Sequence, residues 1–585
     1  MKKNPIQLNP PQLQATSFHG GPLLVLAGPG TGKTRVLVSR IIHYLEHRKI
    51  KPGNILAITF TNQAAGEIKE RVKNCLPSRH SLPFISTFHG WAYSFLKDTL
   101  GEKARVPIDE RESMHLLKKA AGAMGHSVKA KELSTLLHHL PEDMDGKDLT
   151  IYRQYKNTLA EYGLWDFDDL ILESIRTLRE NSSIRESLWA RLPVILIDEF
   201  QDLNAPQYEL VKLMTEKDGE ITAIGDPNQS IYGFRGSSPD FIQKFLDDFP
   251  KTKTVFLDTA YRCPQTFLDA AGDVLIETSQ TDDPSSLFSQ KGKGPCINHM
   301  EFSDSNAEAG WVADAIERIV GGLSFDSIQM DKAPGSDFRS LSHVAVLFRL
   351  NAIGDEIERA LSRRGLPCQR ADRFDPLEDK GLRAIWRSIE IIRERSPKYH
   401  LLRLSEELKM NEKDIQEKLD GLKCLDPMAL MEKFVQDFPI DLTHQAMNSL
   451  KKVMTREKDM DSLSLLLQKG VDLLDVKVEG VRLLSIHASK GLEFPVVFIA
   501  GCEEGILPMK NAVDDEERRL FYVALTRASE EVYLLSSRKR RIWGTWQELE
   551  KSQYIDNILP ERIKRLAIRK KRPKKKKRPI QKGLF

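Results

Sequence analysis

Two short strings in fixed order restrict what this chain can fold into. Residues 26–34 read LAGPGTGKT, and residues 194–202 read VILIDEFQD. In the first, Gly28, Gly30 and Gly32 permit a tight turn whose backbone N–H groups converge on phosphate oxygens. Lys33 adds a point charge for the β- and γ-phosphates, and Thr34 a hydroxyl for Mg2+. The loop follows the apolar run LLVLA and opens the helical stretch KTRVLVSRIIHYL, so an anion there also meets a helix N-terminus. The second string is a continuous apolar run suited to a strand buried on both faces, ending in Asp198 and Glu199. A carboxylate at that place suits Mg2+, and its neighbour suits proton transfer from an attacking water. Together the strings predict a site that binds and hydrolyses a nucleoside triphosphate, with Ala27, Gly28, Pro29, Gly30, Thr31, Gly32, Lys33 and Thr34 as its cradle.

Apolar strand candidates alternate with helical stretches along the chain, at residues 55–60, 194–197, 221–224, 344–348, 481–486, 496–500 and 532–535. That alternation argues for α/β layers with parallel sheets. Residues 101–161 and 397–474 break the pattern and read as helical insertions. At 585 residues the chain exceeds one hydrophobic core and predicts two to four domains. No apolar run is of bilayer length, and the opening MKKNPIQLNPPQ lacks the apolar centre of a secretory leader. The six cysteines are scattered without a CxxC pair, which argues against a zinc site or disulfide framework and for a reducing cytoplasm. The net charge of +4 hides an asymmetry: residues 561–585 carry 13 Lys/Arg against one acid, leaving the rest of the chain at −8. A polyanion affinity independent of sequence would reside mostly in that tail.

The stretch DEFQDLN, followed by GDPNQSIYGFRGS at residues 225–237, resembles the UvrD/Rep/PcrA branch of superfamily 1 DNA helicases. An ordered set of further strings carries the likeness: LNPPQLQAT (8–16), AITFTNQAAGEIKERV (57–72), STFHGWAYSFL (86–96), LDTAYRC (257–263), LLSIHASKGLEFPVVFIAG (483–501) and DEERRLFYVALTRA (515–528). The resemblance implies two RecA-like (P-loop NTPase) parallel-sheet domains, residues 1–100 with 162–262 and 263–396 with 475–548. Each would carry a helical insertion, 101–161 and a reduced 397–474, and a disordered basic tail (549–585) would follow. It implies ATP bound with Mg2+ at the interface of the two domains. Gln12 would read adenine, Arg35 and Tyr261 would sandwich its ring, and Glu493 would hold the ribose. Gln229 would sense the γ-phosphate, and Arg262 and Arg527 would act as arginine fingers. Single-stranded DNA would run past Phe60, Tyr232 and Phe234, whose rings stack bases, and past Thr87, His89, Arg235 and His487. Phe60 also suits an ordinary core position, and lone histidines are more often structural.

The implied activity is ATP-driven 3′→5′ movement on single-stranded DNA in replication or repair. Two alternatives stay open: a translocase that strips proteins from DNA but unwinds poorly, and a clamp-tethered scaffold that uses ATP as a switch. Departures from the family pattern include Ala27 for glycine, Ala260 for asparagine, Phe234 for tryptophan, and a short second insertion whose glycines, Gly421 and Gly470, stand alone. At the C-terminus, Gln581, Leu584 and Phe585 fit the Gln-x-x-Leu-Phe pattern of bacterial sliding-clamp ligands, on a tether that raises effective concentration. The lysine run before them suits salt-dependent adhesion to DNA.

Overall fold

A computed structural model describes residues 7–76, 81–126, 146–275, 287–321, 339–370, 376–423, 426–440, 464, 479–542 and 544–566. The chain divides into two compact units. One comprises 1–261, 283–288 and 370–478, and the other 262–282, 289–369 and 479–585.

The first unit is built on a six-stranded sheet. Its strands are β1 (Leu23–Ala27), β2 (Ile55–Thr59), β3 (Phe84–Thr87), β4 (Val194–Ile197), β5 (Glu220–Gly225) and β6 (Lys253–Leu257), in the order β3-β2-β4-β5-β1-β6. Every pairing is parallel. The uninterrupted Val/Ile/Leu runs have their explanation here: β2 and β4 are buried at every position, because helices cover both faces. One face packs Leu24, Ile58, Ile195 and Ile197 against Trp91, Phe95 and Phe245, and the other packs Val25, Ile55 and Leu196 against Val36, Ile41 and Ile68. Because all six strands run the same way, their C-terminal ends share one edge. Ala27, Thr59, Thr87, Ile197, Gly225 and Leu257 therefore bring the segments that follow them to that edge. An edge of this kind is where open α/β sheets bind ligands.

Both insertions lie in this first unit. Helices Glu110–Ala123 and Gly146–Glu161 form the first. The second begins earlier than the expected residue 397. Helix Lys380–Ile392 contributes Leu382, Ile385 and Ile389 to the same core as Leu404, Ile415 and Phe434, so it belongs to the insertion by packing. A buried ionic cluster joins the two insertions. Glu112 accepts from Arg387 Nη2 at 2.5 Å, from Arg403 Nε at 3.1 Å and from the Tyr399 hydroxyl. Burial works against a charged Glu112, but Arg387, Arg403 and Tyr399 outweigh it and bring the carboxyl down to about 2.

The second unit has a seven-stranded sheet. Its strands are β7 (Ile297–Phe302), β8 (Val344–Phe348), β9 (Cys368–Arg370), β10 (Val481–Ser485), β11 (Phe494–Ala500), β12 (Ala528–Ser537) and β13 (Ile563–Arg565), in the order β9-β10-β8-β11-β12-β7-β13. The pairings β7–β12, β7–β13, β8–β10, β8–β11 and β11–β12 are parallel. Residues 549–566, expected to open a disordered tail, are instead part of the fold. Helix Gln553–Asn557 buries Tyr554 and Ile555, and β13 adds an edge strand through Ile297 N–H to Arg562 O at 2.8 Å and Leu566 N–H to His299 O at 2.9 Å. The charged composition of 561–566 hides this strand, because an edge strand needs apolar residues on one face only.

Candidate functional site

The phosphate-type loop leaves β1 and returns as helix Lys33–Glu46. Gly30 at φ 72° and Gly32 at φ 91° hold left-handed backbone that a side chain would strain, and Gly32 is the residue immediately before the helix. The Lys33 ammonium donates to the Ala27 carbonyl at 3.2 Å, and the Thr31 hydroxyl to the Gly28 carbonyl at 2.8 Å. Thr34 occupies the first turn of the helix that the loop after β1 opens.

Asn9 and Gln12 form a reciprocal cap on helix Pro10–Ser17, with Gln12 N–H to Asn9 Oδ1 at 2.9 Å and Asn9 N–H to Gln12 Oε1 at 3.1 Å. Gln12 is fully buried, and its Nε2 donates to the Thr31 carbonyl at 2.9 Å. One N–H and one lone pair of its amide remain, the pair that an adenine edge would need. Tyr261 is fastened to the same loop. Its backbone N–H donates to Gly30 O at 2.9 Å, and its hydroxyl accepts from Asn9 Nδ2 at 2.9 Å. The Arg35 guanidinium carbon stands 6.0 Å from the Tyr261 ring centre. A planar base between them needs about 7 Å, two contacts of about 3.5 Å, so seating one opens the pair by roughly 1 Å.

Asp198 directly follows β4, and its backbone N–H donates to Ile58 O at 2.8 Å. Glu199 follows at φ 51° and ψ 45°, left-handed backbone unusual for a residue with a Cβ. Its Oε2 accepts from Gln201 Nε2 at 2.6 Å. Across the end of β5, Gln229 Nε2 donates to Asp226 Oδ2 at 2.5 Å, and the Asp226 N–H donates to Gln201 Oε1 at 3.0 Å. Burial pushes the Asp226 carboxyl up, with Lys33 pulling the other way and Glu199 adding to the rise. Gln201 and Asp226 lie within the strings 194–202 and 225–237, but residue type gives them no role there. Their only signal was position, two residues past Glu199 and three before Gln229.

The loop from Gln229 to Arg235 then leads to an aromatic shelf. Phe60, just past β2, stacks on Tyr232 with ring centres 5.0 Å apart, and Tyr232 meets Phe234 at 6.0 Å. Phe234 is 64% exposed, so a large apolar ring faces solvent. Arg235 lies 5.6 Å from the centre of that ring. Thr87 already serves the fold, its hydroxyl accepting from Gly90 N–H at 3.2 Å to cap helix Phe88–Leu100. Burial, with Arg235 adding to it, pushes His89 down to about 4, which keeps that ring neutral near pH 7.

Four expected residues lie in the second unit. Arg262 Nε donates to Glu493 Oε2 at 2.6 Å. Burial opposes a charged Glu493, but Arg262 and then Arg527 hold its carboxyl below the usual range. Arg527 is 1% exposed, and its guanidinium donates to Val523 O at 3.0 Å, Leu492 O at 3.1 Å and Thr526 Oγ1 at 3.2 Å. His487 opens the short helix His487–Ser489 after β10. Gln581, Leu584 and Phe585 lie outside the described residues.

Thr34 and Asp198 offer a hydroxyl and a carboxylate, hard oxygen donors of the kind Mg2+ prefers, in the segments that follow two strands of one parallel sheet. Among the described residues no group of three His, Cys, Asp or Glu forms a metal cluster, and no helix is long and apolar enough to cross a membrane. A metal here would draw its remaining ligands from phosphate and water.

Residues 8–250 match the UvrD/REP helicase N-terminal domain, and residues 255–426 and 403–539 match the UvrD-like helicase C-terminal domain. Similar proteins include the ATP-dependent DNA helicase PcrA of Staphylococcus epidermidis strain RP62A, 28% identical over 645 residues that cover 94% of this chain and 86% of the relative. The protein of the same name from Staphylococcus aureus strain NCTC 8325 is 28% identical over 649 residues, covering 95% and 86%. The two domain matches together span most of the chain, and it belongs to the UvrD/Rep helicase family.

Proposed function

We propose that this chain is an ATP-dependent DNA helicase that moves 3′→5′ along single-stranded DNA in replication or repair. One observation supports this reading above the others: a single segment, 225–235, runs from the end of β5 past Asp226 and Gln229 to the ring shelf of Tyr232 and Phe234. Nucleotide chemistry and base stacking therefore share one stretch of backbone. The names of the relatives and the family membership agree with it.

In this reading Gln12, Arg35 and Tyr261 hold the adenine, Glu493 the ribose, and the loop 27–34 the phosphates. Lys33 neutralises developing charge, and Glu199 takes the proton of the attacking water. Gln229 senses the γ-phosphate, and Arg262 and Arg527 stabilise the transition state. Mg2+ held by Thr34 and Asp198 would supply charge neutralisation at the phosphates. Phe60, Tyr232 and Phe234 stack successive bases, which explains a grip indifferent to sequence. Thr87, His89, Arg235 and His487 line the path of the strand.

The test is the rate of ATP turnover with and without single-stranded DNA, beside unwinding of duplexes with 3′ or 5′ overhangs. Strong stimulation and unwinding from the 3′ overhang are expected. A rate indifferent to DNA would sink the reading.

A further inference from the structure

Gln201 sits where three things meet. It is fully buried, two residues past the candidate base, in the short helix Phe200–Asp202. Its side chain is used at both ends, with Nε2 donating to Glu199 Oε2 at 2.6 Å and Oε1 accepting from Asp226 N–H at 3.0 Å. Its backbone carbonyl accepts from the Ser230 hydroxyl at 3.1 Å, two residues before Tyr232. The surroundings allow little slack. A Cβ at Gly225, the last residue of β5, would stand 2.7 Å from Gln201 Oε1, so the strand end is pressed onto this amide. Farther along, Asn204 and Ser237 form a β-bridge, and Ser238 N–H donates to Leu203 O at 3.4 Å. The aromatic loop is thus tied at several points to the segment that carries Glu199.

We propose that Gln201 is a positioning residue that couples occupation of the Tyr232–Phe234 shelf by single-stranded DNA to the aim of the Glu199 carboxylate. The inference rests on the reading of the protein as a DNA-driven ATPase and adds to it the route of stimulation. The physical argument is short. A carboxylate on left-handed backbone has few ways to point, and an amide donor on one of its oxygens limits how the carboxylate can turn. The same amide cannot move without its other end moving the Asp226 backbone, and Asp226 holds Gln229. A base stacked on Tyr232 shifts or stiffens the loop, and the loop's bonds to Gln201 pass that change to Glu199.

Two variants separate the ends of the amide. Gln201→Glu keeps an acceptor for the Asp226 N–H but, when ionised, has no donor for Glu199. Gln201→Met keeps the volume and loses both bonds. The measurements are kcat and KM for ATP with and without a poly-dT oligonucleotide, oligonucleotide affinity by fluorescence anisotropy, and the melting temperature. The expected result is a fall in DNA-stimulated kcat of about 10- to 100-fold in both variants, as for other residues that orient a reacting group. KM for ATP and DNA affinity stay within about two-fold, a split that simple loosening of the fold does not produce. Parallel losses in KM, DNA affinity and melting temperature would overturn the proposal in favour of a structural role. Wild-type stimulation with unchanged stimulation in both variants would overturn this proposal alone, whereas an unstimulated wild type overturns the parent reading. Should neither variant fold, Ser230→Ala reads the same connection through its other bond, and full stimulation there is the adverse result.

Discussion

The backbone N–H of Tyr261 donates to the carbonyl of Gly30 at 2.9 Å, so the ring that faces Arg35 is held by the phosphate loop itself. In the proposed function this bond ties the residue that would stack on adenine to the loop that would hold the phosphates. Tyr261→Ala should raise KM for ATP about 10-fold, the scale of one lost stacking contact of roughly 1–2 kcal/mol. Tyr261→Phe removes only the bond from Asn9 and should raise it less than about threefold. Steady-state ATPase kinetics checks both.

Glu199→Gln should leave ATP and DNA binding intact while lowering kcat by about 100-fold or more, the usual scale for a lost general base. Equilibrium binding of a fluorescent ATP analogue beside turnover distinguishes lost chemistry from lost affinity. A variant that turns over normally would remove Glu199 from its assigned role.

Tyr232→Ala and Phe234→Ala should each weaken binding to single-stranded DNA by about 1–3 kcal/mol, with similar losses on poly-dT and on mixed sequences. Phe60 lies against Tyr232 at 5.0 Å, so Phe60→Ala should weaken the same binding by losing its own stacking face together with its support for that ring. Anisotropy titrations at fixed salt measure all three.

Glu112 lies at the meeting point of the two insertions, with its carboxyl held down to about 2. An acid whose folded value lies below the unfolded one, about 4.3, stabilises the fold above that unfolded value. That stability is lost as pH falls from about 4.3 through about 2. Glu112→Ala leaves the buried Arg387 to Glu407 and Arg403 to Glu406 and Glu407, with one carboxylate fewer between them, and should cost about 2–4 kcal/mol. Thermal melts at neutral pH should show the loss, and the gap between wild type and variant should narrow toward pH 2.

Removal of residues 581–585 should abolish binding to an immobilised bacterial sliding clamp while leaving DNA-stimulated ATP turnover unchanged. Surface plasmon resonance on the clamp, with a Leu584→Ala/Phe585→Ala double variant as control, decides it. Equal binding by the shortened chain would refute the motif.

Much of the fold was legible because parallel strands buried on both faces leave unbroken apolar runs. VILI at 194–197 and VAVLF at 344–348 are strands that the sequence could not hide. The glycines of 26–34 marked the loop, because glycine adopts backbone like that of Gly30 and Gly32 without the strain a side chain brings. Less visible were features set by long-range packing. Helix Lys380–Ile392 has the pattern of any amphipathic helix, and nothing local says that its apolar face joins the second insertion. The strand Ile563–Arg565 lies within a lysine- and arginine-rich run and pairs with Ile297–His299, more than 260 residues earlier. Gln201 gave no signal of its own, since a buried glutamine owes its importance to which groups lie at either end of its amide.

The backbone of Glu199 limits what can replace it. A side chain held at φ 51° costs on the order of 1 kcal/mol relative to glycine, and asparagine tolerates the same region more readily than most. Replacement of Glu199 by either relieves that strain but takes the acceptor from the buried Gln201 Nε2, a cost of about 1–3 kcal/mol, so the variants should gain no stability while losing turnover. The strained carboxylate and the buried amide thus lean on each other, and neither can be exchanged alone without leaving the other badly placed.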